Sequence, residues 1–224
     1  MSSTPAPSGW LVIFDCDGVL VDSERLNVRT WMGMMRDKGV DITQEQAVET
    51  FVGKAYADNR VTIAEITGAP LDPEWERAWR AEFARSHEEL EPIPGAAEAV
   101  DAIVEVGHAV CVASGSVSRA IDTKLDRTGL SERFAPQARF SAEQVAHGKP
   151  APDVFLHAAR TMGFAPRRCV VVEDSRAGIE AAVAAGMPVV GFCSDMTPPD
   201  WFEEADVVIH DMADLPSAVH TLLG

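Results

Sequence analysis

The fold is decided by the stretch FDCDGVLVDS, residues 14–23, which places two aspartates directly after an apolar run. The run Trp10–Asp15 shows no alternation of apolar and polar residues, which is typical of a strand buried on both faces of a parallel sheet. Gly18 then favours a turn behind the two aspartates, Asp15 and Asp17. The stretch therefore predicts a buried strand whose carboxyl end carries an acidic pair.

Short strand-like runs recur along the rest of the chain, and segments with the apolar spacing of helices separate them. The predicted strands are Ala109–Ser114, Ala138–Ser141, Cys169–Glu173, Pro188–Phe192 and Val207–His210. Alternating strands and helices predict an α/β fold, a doubly wound, Rossmann-like parallel sheet.

Residues 24–92 break this alternation, because they contain helical patterns and no convincing strand. Three aromatic residues at intervals of four positions predict the packing face of the last of these helices: Trp75, Trp79 and Phe83. We therefore predict a catalytic core formed by residues 1–23 and 93–224, with an all-helical cap, residues 24–92, inserted after the first strand.

Composition excludes some classes of function. The 224 residues include 19 Lys+Arg and 35 Asp+Glu, a formal net charge of −16, which argues against a nucleic-acid partner. The weakly polar stretch Ala181–Phe192 contains Gly186 and Pro188 and is too short for a membrane helix. With no recognisable secretion signal and four singly spaced cysteines, we expect a cytoplasmic protein without a membrane partner. The oligomeric state stays open.

Polar residues follow two further predicted strands, Ser114-Gly115-Ser116 after the second and Glu173-Asp174-Ser175 after the fourth. A third segment, Gly148-Lys149-Pro150, precedes a predicted helix. Because ligands of open parallel sheets bind beyond the carboxyl ends of the strands, we expect these segments to meet Asp15 and Asp17 in one crevice.

The charge of that crevice points to a metal ion. Asp15, Asp17, Glu173 and Asp174 carry four negative charges against the one positive charge of Lys149, a net charge of −3. Two carboxylates about 4 Å apart repel each other by about 4 kcal/mol at an effective dielectric constant near 20. Oxygen ligands without histidine or cysteine suit Mg²⁺, which typically binds one or two carboxylates and a substrate phosphate.

The four polar segments, in this order, resemble the motifs of the haloacid dehalogenase-like (HAD) superfamily. The resemblance rests on residues 14–23, 112–116, 148–153 and 171–175, and it spans nearly the whole chain. Within the superfamily, the sequence is similar to the branch with a helical cap after the first motif. That branch contains phosphoglycolate-phosphatase-like and β-phosphoglucomutase-like enzymes.

The resemblance implies a role for each residue of the core motifs. Asp15 would be the nucleophile that forms an aspartyl-phosphate, and Asp17 would protonate the leaving alcohol and then activate water. Ser114, Gly115 and Lys149 would bind the phosphoryl group.

For the metal, the resemblance implies that Mg²⁺ binds Asp15, the backbone carbonyl of Asp17 and Asp174, with Glu173 in or next to the ligand shell. The implied activity is Mg²⁺-dependent hydrolysis of a small phosphorylated metabolite, either a sugar phosphate or a phosphorylated acid. Phosphoryl transfer depends mainly on such positioning and charge neutralisation.

Two alternatives stay open. A β-phosphoglucomutase-like mutase shares the core motifs, but its pattern has a histidine where Asn27 stands and a Lys-Gly-x-x-Arg segment in the cap. Residues 52–56 lack both basic residues in register, although Lys54 lies one position later, so we prefer a phosphatase. A non-catalytic protein that binds a phosphometabolite is the third hypothesis, and the intact pair Asp15 and Asp17 argues against it.

A cap that closes over the crevice would exclude water and supply specificity residues. The candidates for substrate binding in the cap are Asn27, Lys54, Tyr56 and Arg60. Each of them is equally compatible with an ordinary surface position on a cap helix.

Overall fold

Six parallel strands form one sheet in the computed structural model, which describes residues 9–53 and 56–223. The strands are β1 (Leu11–Phe14), β2 (Ala109–Ser114), β3 (Arg139–Ser141), β4 (Cys169–Glu173), β5 (Val189–Phe192) and β6 (Val207–Ile209). Their order across the sheet is β3-β2-β1-β4-β5-β6. Strand β1 therefore lies between β2 and β4, at the point where the order reverses and ligands of such sheets bind.

The described helices are α1 (Ser23–Asp37), α2 (Gln44–Phe51), α3 (Tyr56–Thr67), α4 (Pro73–Ser86), α5 (Ala96–Glu105), α6 (Ser118–Arg127), α7 (Asp153–Met162), α8 (Arg176–Ala184) and α9 (Leu215–Leu223). Helices α5 to α9 cover the two faces of this sheet. Alternate residues of β1 pack against opposite faces: Leu11 and Ile13 join the cluster of α7 and α8, whereas Val12 and Phe14 join that of α5 and α9. The predicted doubly wound α/β fold is confirmed.

The strands differ from the predicted runs only at their ends. Strand β5 begins at Val189 because Pro188 has no amide hydrogen and contributes only its carbonyl, which accepts from Val171 at 2.9 Å. Strand β6 ends at Ile209, whose carbonyl accepts the last ladder bond from Cys193 at 2.9 Å. No helix in the described ranges is long and apolar enough to cross a membrane.

Helices α2 to α4 fall within the predicted insert, residues 24–92, and α1 begins one residue before it, at Ser23. The described residues of the insert form no strand. The aromatic stripe packs as its spacing predicts, with the ring of Phe83 edge-on to Trp31 at 4.6 Å between centroids. Trp75 also donates its indole N–H to Asp37 at 2.6 Å. These contacts hold α4 against α1, the helix that follows the acidic motif.

The two connections between the helical insert and the sheet run side by side. The amide of Asp22 donates to the carbonyl of Glu91, and the amide of Ile93 donates to that of Leu20, each at 3.0 Å. The assignment of residues 24–92 to a separate cap domain stays a prediction.

Candidate active site

The residues of the four core motifs line one crevice at the carboxyl edge of the sheet. Its volume is about 340 Å³. The sequence-predicted residues in its wall are Asp15, Asp17, Ser114, Gly115, Lys149, Glu173 and Asp174. These groups meet because β1, β2 and β4 are adjacent parallel strands that end at the same edge.

Lys149 connects the nucleophile candidate with the end of β4. Its ammonium group donates to Asp15 Oδ1, to Glu173 Oε1 at 2.6 Å and to the carbonyl of Ala113 at 3.2 Å. The Nζ atom also lies 4.8 Å from the centre of the Phe155 ring. Lys149 is thus held between two carboxylates in a largely buried position. Burial alone would lower the pKa of Lys149, but the two carboxylates outweigh it and raise that pKa.

Both oxygens of Glu173 are engaged by donors. Lys149 bonds to Oε1, and Ser175 donates both its amide and its hydroxyl to Oε2, at 2.8 and 2.9 Å. A Cβ atom at Gly178 would lie 1.8 Å from Glu173 Oε1, so only glycine allows helix α8 to approach the carboxylate this closely. These contacts fix the position of the Glu173 carboxylate, which in turn holds Lys149.

Asp17 has its own set of partners. Ser23 donates to Oδ1 at 2.6 Å, Ser116 donates to Oδ2 at 2.9 Å, and Lys124 Nζ lies 2.7 Å from Oδ2. Burial alone would raise the pKa of Asp17, but Lys124 and the two hydroxyls outweigh it and hold that pKa below its usual value. The carboxylate form of Asp17 is therefore stabilised and its oxygens are oriented.

Lys124 was missed by sequence reasoning, and it changes the charge of the site. With Lys124 and Lys149, two ammonium groups oppose the four carboxylates of the core motifs, so these six groups carry a net charge of −2 and not −3. The available signal was its position on α6, three residues after the buried Ile121 and one before the buried Leu125. Sequence patterns do not show which strand end such a side chain reaches.

Asp15 and Asp174 are buried carboxylates with raised pKa values. Burial raises the pKa of Asp15 to about 7, although the charge of Lys149 opposes this shift. Burial, together with the charge of Glu173, raises the pKa of Asp174 well above its usual value. Asp174 is 5% exposed and has no hydrogen-bond partner among the described residues. Gly18, at a φ of +77°, leaves room for it, because a Cβ atom there would lie 1.9 Å from Asp174 Oδ2.

The predicted cap residues are placed differently from one another. Asn27 lines the crevice, and its carbonyl oxygen lies 2.9 Å from Nε2 of His87. Arg60 pairs with Glu76 and is not among the crevice-lining residues. Lys54 and the side chain of Tyr56 lie outside the described residues.

Glu24 is a further crevice residue that sequence reasoning missed. It follows Ser23 in the first turn of α1 and lines the crevice opposite the core motifs. Burial, with the nearby charge of Asp17 as the next cause, raises the pKa of Glu24 to about 7. Its position directly after the motif that ends at Ser23 was the signal that could have identified it.

Residues 11–186 match the family model of the haloacid dehalogenase-like hydrolases. The chain belongs to that family. A structure of a conserved haloacid dehalogenase-like protein of unknown function from Agrobacterium tumefaciens superposes with a TM-score of 0.85 at 32% identity, covering 97% of this chain and 100% of that one. A HAD family hydrolase from Deinococcus radiodurans, with bound phosphate and sodium, has a TM-score of 0.84 at 28% identity and covers 97% of each chain.

Named relatives narrow the class of enzyme. The 6-phosphogluconate phosphatase of Escherichia coli is 33% identical over 186 residues, which cover 82% of each chain. The fructose-1-phosphate phosphatase of the same organism is 35% identical over 184 residues, 80% of this chain and 94% of that protein. The predicted HAD-type phosphoric monoester hydrolase is confirmed, and the relatives support a phosphatase of small phosphorylated metabolites.

Proposed function

We propose that this enzyme hydrolyses phosphate monoesters of sugars or related small hydroxylated compounds, through a covalent aspartyl-phosphate on Asp15 and with Mg²⁺ as cofactor. The observation that carries the proposal is the arrangement in the crevice, where Asp15 and Asp17 face the same space with a lysine bonded to each. The named relatives, which are sugar-phosphate phosphatases, support the same substrate class.

In the first step, a carboxylate oxygen of Asp15 attacks phosphorus and the bond to the leaving alcohol breaks. Lys149 holds Asp15 in place and offers positive charge to the phosphoryl oxygens. Ser114 and Gly115 also line the crevice, at the end of β2. No Cβ contact would arise within 4 Å at Gly115, so the backbone there is open to a phosphate oxygen.

Asp17 carries the proton in both halves of the reaction. Asp17 starts the reaction protonated: it donates this proton to the leaving alcohol oxygen, and as a carboxylate it then takes a proton from the water that attacks the aspartyl-phosphate. The hydroxyls of Ser23 and Ser116 and the ammonium of Lys124 keep its carboxylate oriented between the two steps. Glu173 acts through Lys149, because both of its oxygens are already engaged.

We expect replacement of Lys124 to shift the pH dependence of the reaction. In Lys124→Met, burial of Asp17 is no longer opposed by a cation, so the pKa of Asp17 rises. The limb of the kcat/KM–pH profile that reports Asp17 should move to higher pH. Lys124→Arg is the matched control and should move it less, because the charge is kept. Superimposable profiles for wild type and Lys124→Met would contradict the role given to Lys124.

The residues present fit a divalent cation. Asp15 and Asp174 are buried carboxylates with raised pKa values, and Gly18 allows Asp174 to lie directly against the first motif. Among the described residues, no group of three or more His, Cys, Asp or Glu side chains could hold a metal by itself. The ligands would therefore be Asp15, Asp174 and the backbone carbonyl of Asp17, a set typical of Mg²⁺ that also binds substrate phosphate. When bound, the ion would neutralise phosphate charge.

We expect Mg²⁺ to stabilise the fold most strongly near neutral pH. The pKa of Asp15 is raised from 3.8 to about 7, so the folded protein holds a proton that the unfolded chain releases. The free energy of unfolding of the metal-free protein should therefore fall as pH rises through the window between these two pKa values, 3.8 and about 7. Because Mg²⁺ binds the ionised carboxylates, it should raise Tm chiefly at the upper end of this pH window.

This prediction is checked by thermal melts at pH 5 and pH 7.5, with EDTA or with Mg²⁺. Asp174→Asn should lose most of the Mg²⁺ response. Asp214→Asn, which changes an exposed carboxylate outside the crevice, should keep it. A wild-type Tm at pH 7.5 that does not respond to Mg²⁺ would contradict the proposed metal site.

The proposed function is tested by measuring phosphate release from a panel of sugar phosphates and phosphorylated acids with Mg²⁺. We expect release from at least one sugar phosphate and its loss in EDTA. Absence of release from the whole panel would favour the non-catalytic hypothesis. Incubation with β-glucose 1-phosphate separates the mutase: glucose 6-phosphate formed without free phosphate would overturn the assignment as a phosphatase.

A further inference from the structure

A second cavity, of about 380 Å³, lies among the helices of the insert and adjoins the catalytic crevice. Glu24, Asn27 and Gly53 line both spaces, so the cavity begins where the crevice ends. The proposed chemistry uses only the crevice. The cavity is therefore available for the part of a substrate that extends beyond its phosphate, and its volume is in the range of small-ligand sites.

One wall of the cavity is aromatic. Trp31 stacks on Phe51, with ring centroids 5.3 Å apart and an interplanar angle of 24°, and meets Phe83 edge-on at 4.6 Å. The three rings come from α1, α2 and α4, so they support one another across three helices. Such a wall offers flat apolar area that suits the C–H groups of a carbon chain.

The cavity also contains a buried polar atom without a partner. Asn59 lines the cavity and is 1% exposed. Its Nδ2 donates to the carbonyl of Phe51 at 2.9 Å, which fixes the orientation of the amide. Its Oδ1 receives no hydrogen bond among the described residues, which costs free energy in a buried position. This atom is an acceptor, so a ligand that satisfies it must bring an O–H or N–H donor.

The polar groups at the mouth of the cavity are also oriented. The carbonyl oxygen of Asn27 faces His87, so its amide group points toward Glu24, at 3.4 Å from Oε1. Asn27 can therefore donate and Glu24 can accept at the boundary between the crevice and the cavity. A chain that carries hydroxyl groups matches both kinds of partner, because each hydroxyl donates and accepts.

We propose that this cavity binds the hydroxylated part of the substrate, a sugar or alditol chain longer than three carbons, with Asn59 Oδ1 accepting a hydrogen bond from one of its hydroxyls. The inference rests on the proposed function and narrows its substrate class from hydroxylated phosphate esters in general to those with a hydroxylated chain longer than three carbons. The aromatic wall contacts the C–H groups of the chain. Arg80 also lines the cavity, so a preference for a short acid is the competing outcome of the test.

The first experiment uses the wild-type enzyme and compares glycerol 3-phosphate, erythritol 4-phosphate, sorbitol 6-phosphate and phosphoglycolate. We expect kcat/KM to rise about tenfold or more from the three-carbon to the six-carbon alditol phosphate, since burial of the chain and a new hydrogen bond both contribute. Equal values along the series, or phosphoglycolate as the best substrate, would overturn the inference while leaving the phosphatase assignment intact. Absence of release from all four esters would overturn the inference, and absence of release from the whole panel as well would also refute the proposed function.

The second experiment removes the acceptor. In Asn59→Leu, the ratio of kcat/KM for sorbitol 6-phosphate to that for glycerol 3-phosphate should fall by about three- to tenfold. Thr62→Val is the matched control: Thr62 lies on the same helix, donates to the carbonyl of Asp58 at 3.1 Å and is not among the lining residues. An unchanged ratio in folded Asn59→Leu would contradict the assigned contact. If the variant does not fold, the wild-type series still decides the inference.

Discussion

Asp15→Asn should abolish phosphate release, lowering kcat by at least about 10⁴-fold, the scale expected when a covalent nucleophile is removed. An amide in this position cannot form an acyl phosphate. It also removes the charge that Lys149 now contacts, so Glu173 remains as the carboxylate that pairs with this lysine. The measurement is single-turnover phosphate release from the best sugar phosphate of the panel.

A stability control separates loss of chemistry from loss of fold. Burial raises the pKa of Asp15 to about 7, so the ionised side chain is a cost to the metal-free protein at pH 8. Asp15→Asn should therefore have a Tm in EDTA that is no lower than that of the wild type at this pH. Activity within tenfold of the wild type would exclude Asp15 as the nucleophile.

Lys149→Met should have the second largest effect, on both activity and stability. Two buried carboxylates, Asp15 and Glu173, would lose their shared cation, and breaking such a buried pair typically costs about 3–5 kcal/mol. For a protein of this size, that cost lowers Tm by roughly 6–20 °C. Phosphate release should fall at least about 10²-fold, because the phosphoryl oxygens lose a positive charge at the point of attack.

Lys38→Met is the matched control for this variant. Lys38 lies outside the crevice, with its ammonium 4.3 Å from the ring centre of Trp75, and its loss removes a surface cation–π contact only. We expect Tm within about 2 °C of the wild type and unchanged phosphate release. If Lys149→Met melts at the temperature of Lys38→Met, the buried bridge does not stabilise the protein.

The sheet and the core of the site were predictable because they depend on local patterns. Buried parallel strands produce continuous apolar runs, and polar residues that follow such runs collect at one edge. The positions of Asp15, Ser114 and Glu173 relative to one another follow from those two facts. The helical character of residues 24–92 was predictable for the same reason, from apolar spacing alone.

The remaining features depend on which side chains meet across the tertiary structure. Lys124 reaches Asp17 from a helix more than a hundred positions along the chain, and Arg60 is drawn into a pair with Glu76 outside the crevice. The unpaired oxygen of Asn59 is a consequence of how three helices enclose it. Propensity and periodicity carry no information about such long-range pairings.

The most direct test of the central proposal is to trap the covalent intermediate. Wild type and Asp17→Asn are mixed with Mg²⁺ and a sugar phosphate that carries radiolabelled phosphate, quenched in acid and digested. We expect label on the peptide that contains Asp15, removable by hydroxylamine as an acyl phosphate is, and slower loss of that label in Asp17→Asn during a chase with unlabelled substrate, because water is not activated. Phosphate release at the normal rate with no label on that peptide in either protein would contradict an aspartyl-phosphate at Asp15.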